Sequence, residues 1–237
     1  MAVIYAVHLE QMLHPEWLDK AAAHLPQEVR LKAARYRAEQ DARREIVSAV
    51  LKRVVACERT GIAVDQVQFT RNDYGKPSLK GYPDFHFNIS HSADWVVCAV
   101  STEGPIGVDI EQIGEAEDEV ARLCFTHAEL ERWRHCPADL RDGFFYELWT
   151  LKESYVKAIG MGLSVPLLSI ETEKYGDRYY ISCNKKVDTC RYMKSMSIDD
   201  EYACSVCVPA EDGEILFQNA TMNEIFISFM ELVGKHL

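Results

Sequence analysis

The sequence predicts an α+β fold of two similar halves with a groove between them. Each half runs from a strand through helices into antiparallel strands, and Glu103-Gly104-Pro105 breaks the pattern between them. That break sets expected boundaries at residues 1–104 and 105–237, with a closing helix in the second half. The 237 residues suit one large domain or two small ones, and the 48 % apolar content fits an ordinary globular core. A formal charge of −11 argues against general nucleic-acid binding. The eight cysteines form no paired framework, and neither a signal peptide nor a long uncharged apolar run is present, which predicts a reducing cytoplasm and no membrane span. Cys204-Ser-Val-Cys207 has the CxxC form inside a strand-like run, where residues three apart face opposite sides, so it reads as core rather than as a zinc site.

Val3 to Leu9 reads as the first strand, and Pro15 to Leu25 as a helix with proline in its first turn. Arg30, Lys32, Arg35, Arg37, Arg43 and Arg44 then form the most basic region of an acidic chain. They lead into a helix from about Gln40 to Thr60, with Ile46, Val50, Leu51, Val54 and Val55 as its core stripe. The region is either a solvated helix face or an anion site that concentrates a phosphorylated ligand. Tyr74-Gly75-Lys76-Pro77 is a tight turn between strands: a plain hairpin, or a place where backbone nears a flat ligand with Lys76 beside a phosphate. Phe85, Phe87 and Ile89 alternate as a strand ending in a polar loop, where Asn88, Ser90, His91 and Ser92 form a turn or offer donors to phosphate. Trp95 to Val100 is the next strand.

Glu115 to Cys124 and His127 to His135 read as helices, the second with a capping box from Thr126 to Glu129. Leu168 to Val208 alternates in strand-like runs, broken at Tyr175-Gly-Asp177 and Ser197 to Glu201, and Glu224 to Val233 closes the chain as an amphipathic helix.

The chemistry concentrates in two stretches. In Ile106-Gly-Val-Asp-Ile-Glu-Gln-Ile113, Val108 and Ile110 alternate with Asp109 and Glu111. The two carboxylates share a strand face, with alpha carbons roughly 6.5–7 Å apart. They repel unless a cation sits between them, and magnesium bound to a phosphate substrate is the common answer. The second stretch is a helix within Asp139 to Ile159, stopped by Gly160, Gly162 and Pro166. Its Tyr146, Trp149 and Val156 face a core, while Glu153 and Lys157 stand one turn apart. Glu153 is the third expected metal ligand.

The ordered set Tyr74-Gly-Lys-Pro77, Phe87-Asn-Ile-Ser-His-Ser92, Ile106-Gly-Val-Asp-Ile-Glu111, Trp149-Thr-Leu-Lys-Glu-Ser-Tyr-Val-Lys157 and Gly162-Leu-Ser-Val-Pro166 resembles the 4′-phosphopantetheinyl transferases of the surfactin-synthetase-activating (Sfp) type, over about residues 3 to 208. The resemblance implies a pseudodimer of two α+β halves that moves phosphopantetheine from coenzyme A to a serine of an acyl, peptidyl or aryl carrier protein. The coproduct is adenosine 3′,5′-bisphosphate, and magnesium is required. It assigns the metal to Asp109, Glu111 and Glu153, the pyrophosphate to Lys157, and coenzyme A phosphate contacts to Ser90 and His91. Tyr74, Gly75, Lys76 and Pro77 match the wall near the adenine, and Lys32 and Arg44 match 3′-phosphate contacts. One departure is Val29, where the family's prototype has a second lysine; Arg30 is its neighbour.

Either Glu153 or Glu129 is placed to take the serine proton, with Glu153 preferred. The fold implies a monomer. Arg122 to Arg134, with Leu123, Phe125, Leu130, Arg132 and Trp133, is either a carrier-docking patch or core. Two other functions fit the same carboxylates less well: a magnesium-dependent nucleotide pyrophosphate hydrolase, and a non-catalytic module binding coenzyme A or a carrier.

Overall fold

The computed structural model describes residues 1–9, 16–183 and 186–235; Pro15, expected in a first turn, lies outside them. The first half contains β1 (Ala2–His8), α1 (Glu16–Ala23), α2 (Gln27–Ala33), α3 (Glu39–Thr60), β2 (Phe69–Arg71), β3 (Pro77–Leu79), β4 (His86–Ser92) and β5 (Trp95–Ser101). Next come β6 (Gly107–Gln112), α4 (Asp118–Cys124), α5 (His127–Arg134), α6 (Arg141–Ile159), β7 (Ile170–Tyr175), β8 (Arg178–Cys183), β9 (Lys186–Val187), β10 (Arg191–Met196) and β11 (Tyr202–Pro209). The chain ends with β12 (Ile215–Ala220) and α7 (Met222–Gly234).

Two sheets carry the halves. The first has the order β12-β1-β5-β4 and the second β6-β11-β10-β8-β7, with β9 on β8. The path β1-β5-β4 recurs as β6-β11-β10: each half lays its opening strand beside its last, and its last beside its penultimate. The pairings within both paths are antiparallel. This is the duplicated α+β unit expected from the element order.

Strand alternation builds the middle of the molecule. Ile4, Val97, Val108, Ile110 and Val206, all fully buried, meet in one core between the two sheets. The opposite face of the first sheet packs on α3, where Val50, Leu51 and Val54 supply the predicted stripe. The opposite face of the second sheet receives α6 through Leu151, Tyr155 and Val156. Cys204 and Cys207 enter different cores, one on each face of β11, as period two requires.

Two expectations need correction. The closing segment does not belong to the second half. β12 pairs in parallel with β1, and α7 buries Ile225, Phe226 and Phe229 in the first core, so after Pro209 the chain crosses back. The polar end of β4 is not a loop but strand as far as Ser92. There Asn88, Ser90 and Ser92, all on one face, reach across to β6. Asn88 Oδ1 accepts the Val108 N–H at 2.9 Å, and Ser92 Oγ accepts the Gln112 N–H at 3.1 Å. A polar stripe that looked like a strand end is the seam between halves.

Candidate active site

Gly107 is what lets α6 lie directly on β6. A Cβ there would stand 2.0 Å from the Ser154 carbonyl oxygen and 2.5 Å from the Ala158 nitrogen. Ser154 and Ala158 are themselves small and buried, so strand and helix backbones meet almost without side chains between them. That contact fixes which residues of α6 face β6, and places Glu153 and Lys157 beside the acidic face of the strand.

The centre is a triangle of side chains, buried at Asp109 and Ser90 and half-open at Lys157. Lys157 Nζ donates to Asp109 Oδ1 at 2.6 Å and to Ser90 Oγ at 2.9 Å, and Ser90 Oγ donates to the same Asp109 oxygen at 2.9 Å. Asp109 is 2 % exposed, and its Oδ2 is buried with no hydrogen-bond partner among the described residues. An orphaned buried carboxylate oxygen is costly and needs a reason. Burial pushes the Asp109 carboxyl up, against Lys157 and Ser90, which hold it down. Burial likewise pushes Glu111 up, with Asp109 and then Glu153 adding repulsion, while Ser92 Oγ–H donates to its Oε2 at 2.9 Å. Glu153 is raised by burial and then by Asp109. The three carboxylates therefore repel one another across β6 and α6, and they are not independent of one another. They are not drawn into a closed cage either: among the described residues no three His, Cys, Asp or Glu side chains form a ready metal cluster, and a lysine ammonium sits on Asp109.

Cations flank this centre on the side of the first half. Burial, then Arg44, push the His91 imidazolium down, with Lys157 adding to the effect. Arg44 donates to the Ala93 carbonyl at 2.6 Å and pairs with Asp41. Lys32 is over half exposed and pairs with Glu45 at 2.6 Å. Lys52, with Arg53, Arg71 and Lys32 near it, is pushed down to about 8, mainly by burial. These are concentrated basic side chains in a chain of formal charge −11. Val29 is buried in the first core, so on α2 it does not share the exposed face of Arg30 and Lys32.

The Tyr74–Pro77 turn docks on the end of α6. Asn72 Oδ1 accepts the Tyr74 and Lys76 N–H groups, and Asn72 Nδ2 donates to the Gly160 carbonyl at 2.8 Å. Gly160 has φ of 73°, and a Cβ on it would meet Lys76 Cδ at 2.8 Å. The Lys76 ammonium is not held out for phosphate. It donates to the Ala158 carbonyl at 2.8 Å and the Ile106 carbonyl at 3.1 Å, and burial pushes it down to about 8. Helix C-terminal carbonyls attract such a cation, which ties the two halves together.

Glu129 is not available as a base. It is fully buried, with Lys152 Nζ 2.5 Å from Oε2 and the Thr126 N–H completing the predicted capping box on the same oxygen. Its Oε1 accepts both the N–H and the hydroxyl of Thr172 at 2.8 Å. Lys152 also donates to the Cys124 and Leu167 carbonyls. The pair is a hub joining α4, α5, α6 and β7, which sequence spacing did not reveal. The proposed docking patch is largely core too. Phe125 and Trp133 are buried and Arg132 donates to the Thr172 carbonyl, leaving Leu123, 71 % exposed, as the apolar side chain on the surface.

Two family models divide the chain near the same seam. The 4′-phosphopantetheinyl transferase N-terminal model matches residues 13–103, and the 4′-phosphopantetheinyl transferase superfamily model matches residues 105–207. The 4′-phosphopantetheinyl transferase Sfp of Bacillus subtilis (strain 168) is 33 % identical over 210 residues, covering 88 % of this chain and 93 % of that protein. The chain belongs to the 4′-phosphopantetheinyl transferase superfamily. The 4′-phosphopantetheinyl transferase gsp of Aneurinibacillus migulanus is 37 % identical over 174 residues, with 73 % and 71 % of the two chains covered. A crystal structure of a Bacillus anthracis holo-(acyl-carrier-protein) synthase in complex with coenzyme A aligns with 44 % of this chain and 94 % of that one, at TM-score 0.37 and 22 % identity. Membership makes this chain an enzyme of the phosphopantetheine-transferring type, and neither hydrolysis nor inert binding is favoured. Among the described residues no helix is long and apolar enough to cross a membrane.

Proposed function

We propose that this transferase moves phosphopantetheine from coenzyme A to a serine of an acyl, peptidyl or aryl carrier protein, with Asp109, Glu111 and Glu153 holding Mg2+. The observation that carries the reading is the Asp109–Lys157–Ser90 triangle, with its orphaned Asp109 oxygen and two further raised carboxylates coupled to Asp109. An all-oxygen donor set of repelling carboxylates suits a hard divalent cation. When bound, the ion supplies Lewis-acid neutralisation of the diphosphate.

The chain's own residues do the rest. Lys32, Arg44, His91 and Ser90 hold the anionic end of coenzyme A, and the backbone of Tyr74, Gly75, Lys76 and Pro77 walls its flat base. The serine oxygen forms a bond to the phosphorus bearing pantetheine, and the bond from that phosphorus to the adenosine bisphosphate oxygen breaks. Lys157 neutralises charge on the leaving oxygen. Glu153 takes the serine proton. With both walls supplied by one chain, the active unit is a monomer. Five buried free cysteines among the described residues suit a reducing cytoplasm. Incubation with coenzyme A, Mg2+ and a panel of apo carrier proteins, followed by intact mass, tests the reading. A mass gain of one phosphopantetheine by the native enzyme and none by Asp109→Asn is expected, and an equal gain by the variant would refute it.

A further inference from the structure

A second cavity lies at the other end of the seam. It has a volume of about 540 Å³, within the range of small-molecule pockets. None of Ser90, His91, Asp109, Glu111, Glu153 and Lys157 lines it, and of the residues assigned to coenzyme A only Lys76 and Pro77 reach its edge. It opens at the His86 end of β4, about 13 Å along the strand from Ser90. Residues of both halves form its walls: Lys80, Tyr82 and Phe85 from the first, Pro105, Ile159 and Arg191 from the second.

Its chemistry is one-sided. Lys76, Lys80, His86 and Arg191 line it and no carboxylate does, although the chain carries 37 acidic residues. Arg191 gives one guanidinium nitrogen to Asp188 at 3.0 Å, but its Nε is buried without a partner among the described residues. A buried donor left unmet, with the Lys80 ammonium on the opposite wall, calls for an oxyanion. Tyr82, Phe85, Pro105 and Ile159 supply apolar surface beside it. Such a combination selects an anionic head on a flat apolar body, because the head alone would leave that surface wet.

We propose that this cavity is a second ligand site, for a small organic oxyanion with an aromatic-sized apolar body, held between Lys80 and Arg191. Such a ligand bridges the halves. It also lies against the Lys76 side chain, whose ammonium holds the Tyr74–Pro77 turn to the end of α6. Occupancy therefore stiffens the seam.

The probe is 2-naphthoate, with its neutral amide as the control, titrated calorimetrically into the full chain with and without saturating coenzyme A. The expected result is saturable one-to-one binding that survives coenzyme A. It should weaken by about tenfold or more in Arg191→Gln and in Lys80→Gln, and by a similar factor for the amide. Lys80 is exposed and bonds only to Gln68 among the hydrogen bonds described, so its variant guards against misfolding of the other. Both variants should retain transfer to carrier protein. Absence of saturable binding, native affinity retained in either variant, or displacement by coenzyme A would overturn the proposal. Displacement would give the cavity to coenzyme A and leave the transferase reading standing, which loss of transfer in Asp109→Asn tests separately.

Discussion

Replacing Gly107 with alanine should disable the enzyme through a single methyl group. The new Cβ would lie 2.0 Å from the Ser154 carbonyl oxygen and 2.5 Å from the Ala158 nitrogen, both backbone atoms of α6. Neither can rotate away, so helix and strand must part by about 1 Å to restore van der Waals contact. Overpacking of this kind costs about 1–3 kcal/mol. The larger effect is on geometry. Glu153 and Lys157 ride on the displaced helix while Asp109 stays on the strand, and a misplacement of about 1 Å costs about 100-fold in rate. Alanine favours neither loss by propensity, since it is the better residue for a strand interior. The assay is transfer to an apo carrier protein by intact mass, with thermal unfolding alongside. Gly143→Ala on the same helix is the control. Nothing lies within 4 Å of its added Cβ, so it should gain about 0.5–1 kcal/mol and keep full activity. A Gly107→Ala enzyme folded and within threefold of native rate would refute the reasoning.

Other perturbations separate structure from chemistry. Glu129→Gln strands the fully buried Lys152 ammonium and should cost about 3–5 kcal/mol by denaturant unfolding; native stability with lost transfer would instead restore Glu129 as a base. Glu111→Gln relieves a carboxylate raised by burial and by Asp109, so above the folded-state pKa of Glu111 the metal-free protein should gain about 0.5–2 kcal/mol while transfer is lost. That gain should vanish toward acid pH, where the native carboxyl is protonated, and a gain that persisted there would point to another cause. Lys76 is depressed from 10.5 to about 8, so between those values the unfolded chain binds the extra proton and the lysine's contribution to stability rises with pH. The rise is worth about 3 kcal/mol and should appear as a pH-dependent difference from Lys76→Met, in which the buried thiols cancel; a flat difference from pH 8 to 10.5 would contradict it.

The sequence made β6 and α6 legible because their signals are local. Period two put Asp109 and Glu111 on one face, and helical spacing joined Glu153 to Lys157. What it hid depends on partners distant along the chain. β12 is a strand because β1 accepts it, and the two are over 200 residues apart in sequence. Ser90 and Ser92 read as a loop because nothing nearby announces that β6 will take their hydroxyls. Lys76 looked like a phosphate ligand because the two carbonyls that claim it lie 30 and 82 residues away. Lys152 sits in a helix whose neighbours are apolar, and its partner Glu129 already had a sufficient local role as a cap. Gly107 did leave a signal. A glycine inside a strand marks close backbone approach, and here it marks the contact that assembles the site.

Titrating Mg2+ into the coenzyme A complex, native against Asp109→Asn, asks whether the acidic face of β6 and α6 holds an ion at all. One ion per native chain, and at least tenfold weaker binding in the variant, is the predicted result. Equal uptake by both proteins would place the metal elsewhere and leave the orphaned Asp109 oxygen without its explanation.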